Sequence, residues 1–286
     1  MIVAATLLLP GSSLLQGVAL PPVLARALAR ADLQVLGGDA QDQLARHFTC
    51  QPDAAGRWPV AALTRQLDAV DAGDGRWLRA DPAHIAADMQ GVRMLAHGPA
   101  LAIAPDHGAQ LAASLAPVFD AHGLQLSAPD PARWYLRLPA AMVLPPLVDI
   151  DQVLGDDLFD HLPQGEPGRL WRSLLSETQV LLHQHPLNAR RSAQGQAAVN
   201  SLWFWGAGSL PDRIEHGYAQ IRSPDPRLQA MAKVADSVAG GHQLVDLRHL
   251  RNAQTLLDQA LLPLLVALEK GELEQLQLDF ADGLHY

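Results

Sequence analysis

The chain has 286 residues, enough to bury a sizeable core as one large domain or two. With 49% hydrophobic and 18% charged residues it reads as an ordered globular protein, not a disordered one. A formal charge of −9 argues against a nucleic-acid partner, and the single cysteine, Cys50, excludes an intramolecular disulfide and a multi-thiolate zinc centre.

Residues 2–9 form a continuous apolar run closed by Pro10-Gly11, the pattern of a buried strand. The first basic residue, Arg26, follows Pro10, Gly11, Pro21 and Pro22. A secretory signal needs a positive start, and a membrane helix needs about 20 uninterrupted apolar residues. Neither is expected, and the expectation is a cytoplasmic protein without a membrane partner. Helical patterns occupy 21–31, 40–48 and 60–70. Gly73-Asp74-Gly75 then introduces a short strand at 76–80, followed by a helix at 86–95 and a strand at 100–104. A helix at 106–122 and two strands, 124–127 and 133–138, read as a small α+β module that leaves through the Pro-rich stretch 139–146. Helices dominate 152–196, a buried strand follows at 201–205, and further helices are expected at 226–239 and 247–269. An alternating strand closes the chain at 273–280. The expected fold is α/β, with residues 1–99 and 145–286 as core and 100–144 inserted.

The densest chemistry lies between His183 and Pro211. Gly206 and Gly208 follow a buried strand and allow close backbone approach to an anion, while Arg190 and Arg191 supply charge and forked donors. His183 and His185 end a long helix, where the dipole alone favours histidine. Asn188 follows the break at Pro186, and Asn200 is placed to pin a loop through its amide. Arg79, Asp81 and His84 form a second group, with Asp88 one turn on. Asp81 reads as an acid–base or ligand group, or as a helix N-cap followed by Pro82 at the first helical position. Trp203 and Trp205 read as core packing, and Asp106 as a cap. The acidic residues Asp149, Asp151, Asp156, Asp157 and Asp160 lack calcium-loop spacing and read as a solvated face.

His185, Pro186, Asn188, Arg191, Gly195, Asn200, Gly206, Ala207, Gly208 and Pro211 together resemble a segment of the archaeal-type cofactor-independent phosphoglycerate mutases. The whole chain resembles a bacterial family named regulatory protein RpfE, with Arg76 to His84 and Leu257 to Leu265 as further landmarks. The resemblance implies an alkaline-phosphatase-like mixed sheet flanked by helices. For an active mutase it implies a serine nucleophile beside two divalent cations, Mn2+ or Mg2+, held by aspartates and histidines. Here the first strand runs Leu7-Leu8-Leu9-Pro10-Gly11-Ser12-Ser13 without a carboxylate, and Gly240-Gly241-His242 with Asp246 matches the later metal motif poorly. The leading expectation is therefore a regulatory protein that binds a small phosphorylated metabolite without a metal. Its ligand residues are expected to be Arg79, Asp81, His84, His185, Asn188, Arg190, Arg191, Asn200, Gly206 and Gly208, with no catalytic residue assigned. An active metal-dependent mutase or phosphatase is one alternative, and a regulator that contacts only a protein partner is another.

Overall fold

A computed structural model describes residues 3–38, 40–50, 57–89, 91–236 and 238–286. Strand β1 (Ala4–Leu9) is buried from Ala5 onward; the expected first residue of this strand, Ile2, lies outside the described residues. Helix α1 (Pro22–Arg30) starts on a proline whose missing N–H costs a first turn nothing. Strand β2 (Gln34–Val35), helix α2 (Ala40–Ala45) and strand β3 (Thr49–Cys50) follow. Helix α2 stops short of the expected Phe48.

The chain then builds α3 (Val60–Asp68), β4 (Arg76–Asp88), β5 (Gly91–His97), α4 (Pro105–Asp120), β6 (Gln125–Asp130) and β7 (Arg133–Leu138). Next come α5 (Ile150–Val153), α6 (Gly165–Gln184), α7 (Pro186–Ala193) and β8 (Ser201–Ser209). These elements belong to one compact unit, Pro52–Pro211. Its antiparallel strands run β5-β4-β7-β6, and β8 pairs with β4 as well. One edge of the long β4 is shared by β7 at residues 76–79 and β5 at 83–88, while β8 lines the other. Helices α4 and α6 pack over the sheet, around Phe119, Trp134, Trp171 and Phe204. The rings of Trp171 and Phe204 meet edge to face at 5.2 Å.

Two expectations change here. Residues 86–95 are not a helix: 86–88 end β4 and 91–95 begin β5, and the hairpin ladder that pairs Ala86 with Arg93, Ala87 with Val92 and Asp88 with Gly91 outweighs the helix propensity of alanine. The stretch 100–104 is not a strand: a 3-10 turn, Gly98–Leu101, ends on Ala102 at φ 46°. The division of the chain also differs from the expected one. Residues 100–144 supply α4, β6 and β7 to the same sheet as β4, and the boundaries fall instead at 51/52 and 211/212.

The remaining chain adds β9 (Ile214–Glu215), β10 (Gln220–Arg222), α8 (Pro226–Val234), β11 (His242–Asp246), α9 (Ala253–Leu256), α10 (Leu262–Glu269), β12 (Gln275–Phe280) and β13 (Leu284–His285). With residues 1–51 these make the second unit. Its described residues form a mixed α/β sheet of six strands, ordered β10-β11-β1-β12-β13-β2. Strands β10, β11, β1 and β12 are parallel, and β13 is antiparallel to both of its neighbours, β12 and β2. Alternation gives the sheet two faces. Leu7, Leu9, Leu278 and Phe280 pack against Leu24 of α1, Leu256 of α9 and Leu265 of α10. Thr6, Gln277 and Asp279 occupy the other face. None of the described helices is long and apolar enough to cross a membrane.

Candidate functional site

Most of the expected ligand residues bind the chain itself. Proline at 186 ends α6 and starts α7, and His185 caps the new helix by accepting the Leu187 N–H at Nδ1, 3.2 Å away. Burial, then the charge of Arg190, lowers the pKa of His185 and favours this neutral accepting ring. The Asn188 amide donates to the carbonyls of Leu182 and Val199, both at 2.7 Å, and accepts the Val199 N–H at 2.8 Å. Arg191 is 1% exposed and donates to the carbonyls of Ala197 (2.9 Å) and Leu101 (2.5 Å). His84 Nδ1 donates to the Ala198 carbonyl at 2.9 Å. Asn200 accepts the Ile85 N–H and donates to the Ile85 carbonyl, each at 2.8 Å, so its side chain stands in for a strand on that edge of β4. His84, Asn188, Arg191 and Asn200 thus converge on one object, the segment 197–200 leading into β8.

Arg79 and Asp81 form a separate buried pair. Arg79 Nε and Nη2 reach the two carboxylate oxygens at 2.8 Å, Nη1 donates to Thr64, and Trp205 Nε1 donates to Asp81 at 2.8 Å. Asp81 sits inside β4, so it caps no helix. Gly206 and Gly208 also lie within a strand, β8, and not in a turn. Their small size admits α3: a Cβ on Gly208 would lie 2.3 Å from Pro59 Cβ, and one on Gly206 3.1 Å from Val60 Cβ. Arg190 is the exposed member of the set. An open groove of about 500 Å³ runs beside the Asn200 anchor, lined by Ile85, Gln179, Val180, His183 and Gln184 among others. The acidic run lies at the surface: Asp151, Asp156 and Asp160 are exposed, Asp149 and Asp157 cap short helices, and Asp156 pairs with His161.

The other unit holds a polar cluster that was not read from the sequence. Asp246 on β11 and Asp279 on β12 are both in register with Leu8 of β1, one on either side, at the carboxyl ends of parallel strands. Open α/β sheets place ligands at that edge. Arg248 grips both oxygens of Asp246 at 2.9 Å, and Ser223 adds a bond of 2.7 Å. Asp279 takes Arg46 at 2.7 and 3.1 Å and His47 Nε2 at 2.6 Å. Burial raises each carboxyl, but these donors outweigh it and hold both below the usual carboxylate range. His47 Nδ1 meets the Tyr218 hydroxyl at 2.6 Å, and Thr6 joins His242 to Gln277 at 2.9 and 2.8 Å. The signal available in sequence was the alternation Gln275, Gln277, Asp279 on β12, a polar face that is exposed at Gln275 and fully buried at Asp279.

A divalent cation fits these groups poorly. No three His, Cys, Asp or Glu side chains among the described residues are placed to hold one. Both carboxylates are already neutralised by arginine, and Leu8 stands between them. Ser12 donates its hydroxyl to Asp282. Burial pushes the Cys50 thiol up to about 11, which keeps it protonated.

No family model matches the chain. Part of it is similar to cofactor-independent phosphoglycerate mutases. Over 59 residues it is 36% identical to the 2,3-bisphosphoglycerate-independent phosphoglycerate mutase of Methanosarcina barkeri, covering 21% of this chain and 15% of that one. Over 69 residues it is 35% identical to the probable mutase of the same kind from Geobacter sulfurreducens, covering 24% and 16%. The matches therefore span about 15% of the length of these curated relatives. Among solved structures, the cofactor-independent phosphoglycerate mutase from Thermoplasma acidophilum aligns with 99% of this chain and 88% of its own at 13% identity and a TM-score of 0.41. The PH0037 protein from Pyrococcus horikoshii aligns with 86% and 70% at 12% identity and a TM-score of 0.40.

Proposed function

We propose that this chain is a phosphoglycerate-mutase-like regulatory protein of the RpfE kind, which binds a small phosphorylated metabolite without metal-dependent phosphoryl transfer. The observation that carries the ligand class is the local similarity to the mutases, 36% identity over 59 residues. The arginine-filled carboxylates on either side of Leu8 support the loss of metal chemistry, since a cation would have to displace two-point Arg–carboxylate pairs. On this reading the ligand's phosphate is met by two exposed side chains of the 183–191 stretch, His183 and Arg190. Asn188, Arg191 and Asn200 keep the surface rigid from beneath.

The test is a thermal-shift titration with 3-phosphoglycerate, with and without Mn2+. A ligand at a hundred times its Kd adds about 2.7 kcal/mol, a rise of a few degrees in Tm. A rise without metal that Arg190→Ala abolishes supports the proposal. A rise that requires Mn2+ would favour the active mutase or phosphatase reading. Absence of any rise would refute 3-phosphoglycerate as the ligand and favour a different ligand or a protein partner.

A further inference from the structure

One edge of the six-stranded sheet is open. Strand β2 pairs with β13 on one side, and among the described residues no strand takes its other side. The Leu36 N–H donates to the Gly283 carbonyl at 2.9 Å, so Gln34 and Leu36 turn their backbone groups toward β13. Alternation then turns the N–H and C=O of Leu33 and Val35 away from the sheet.

The side chains on this edge are unusual for one that meets water. Leu33 is 51% exposed and Val35 72%. Natural sheet edges are blunted by charges or prolines, because free ladder groups recruit other strands. The run Leu33-Gln34-Val35-Leu36 holds neither. Val35 stands in register with Leu284 of β13, which packs with the apolar layer formed by Leu24, Leu256 and Leu265. Leu33 shares a face with Val35 by alternation, so both extend that layer past the last strand.

We infer that the open edge of β2 is the contact through which two copies of this chain pair, antiparallel about a two-fold axis at Gln34. In that register the segment is complementary to itself. Leu33 faces the partner's Val35, Val35 faces the partner's Leu33, and each pair exchanges two backbone hydrogen bonds. All four outward backbone groups of each copy are thereby used. The same pairs set exposed apolar side chains against one another and carry the apolar layer from one sheet into the next. Ala31 and Arg30, at the end of α1, face the partner's Gly37 and the partner's Gly38, which have no side chains to obstruct the helix. An axis at Leu33 or at Val35 instead would leave one apolar residue facing Ala31 or Gly37. The contact lies in the unit of residues 1–51 and 212–286 and does not depend on the ligand reading above.

The experiment is sedimentation of the full chain over a range of concentrations, joined to cross-linking from two single positions. A contact of this size holds weakly, so the mass should rise with concentration from the 30.7 kDa of one chain toward twice that value. Facing residues of a non-hydrogen-bonded pair have Cα atoms about 4.5 Å apart, within disulfide reach. Gln34→Cys should therefore join two copies on mild oxidation. Val35→Cys should not, because its two thiols would sit on a diagonal of about 7–8 Å, too long for a disulfide. The native Cys50 is buried and does not compete. Val35→Lys puts a charge on the edge, and should keep the mass of one chain at every concentration without lowering Tm. The mass of one chain throughout, for the unsubstituted protein, overturns the pairing and assigns the edge to a strand of a different protein. Equal cross-linking from the two positions overturns the axis at Gln34. A Val35→Lys chain that still doubles its mass overturns β2 as the contact.

Discussion

Asn188 satisfies three backbone groups at once, on Leu182 and Val199, from a position that is 4% exposed. Replacing it by Ala leaves those groups unpaired, and each buried orphan costs about 1–3 kcal/mol. Asn188→Ala should therefore lose at least about 2 kcal/mol in urea unfolding, with the midpoint lowered and the slope kept. Exposed Arg190→Ala should stay within about 0.5 kcal/mol. If the two variants were equally stable, the amide would not be the anchor described. The pair of Arg79 and Asp81 predicts a larger loss. Both are at least 95% buried, and Arg79→Met strands a carboxylate for about 3–5 kcal/mol. At this scale the sequence showed which residues were unusual but not what they do. Asn, Arg and His carry the same donors whether the acceptor is a phosphate or a carbonyl of segment 197–200, and only the folded path of the chain puts that segment within reach.

At the scale of elements, glycine and proline had the most legible consequences. The break at Pro186 and the helix starts at Pro22, Pro105 and Pro226 all follow from backbone sterics that no tertiary contact alters. The β4–β5 hairpin was illegible because Ala86, Ala87 and Met89 favour a helix in isolation, while the ladder of Ala86 and Ala87 with Arg93 and Val92 extends a β4 already held at residues 76–83 by β7 and β8, which are distant in sequence. The glycines of β8 make a further test. A methyl on Gly208 meets Pro59 Cα at 2.8 Å as well as its Cβ, so Gly208→Ala must push α3 away from β8. The expected cost is about 1–3 kcal/mol, with a changed near-ultraviolet dichroism from Trp203 and Trp205. Gly195 has open space and φ 72°, so Gly195→Ala should cost about 1–2 kcal/mol of backbone strain and leave that spectrum intact. Equal spectra for both variants would remove close packing as the reason for Gly208.

For the whole molecule, the unit 52–211 has its own core and continuous chain. A fragment of residues 57–211 should unfold in one cooperative transition by calorimetry; a fragment without a heat-absorption peak would contradict this. Acid should weaken the other unit. Burial lowers the pKa of His216, His242 and His285, so the unfolded chain takes up protons first as pH falls below about 6.5. Stability is then full above that value and declines beneath it. Asp246 and Asp279 add to the decline at lower pH, because their depressed pKa values stabilise the fold only while they are ionised. Melting temperature measured from pH 7.5 to 4 should fall continuously. A flat profile between pH 6.5 and 5 would contradict the buried neutral histidines.

The α/β class, the buried first strand, most helices and the final alternating strand were determined by the sequence alone, because periodicity and chain breakers act over a few residues. The roles of Asn188, Arg191 and Asn200, the strand ends at 86–88 and 91–95 and the grouping of Thr6, His47, Tyr218, His242 and Asp279 were decided only by tertiary structure. Hydrogen-bond partners as far apart as His47 and Asp279 meet only through strand order, and strand order is a property of the assembled sheet. No local pattern carries it.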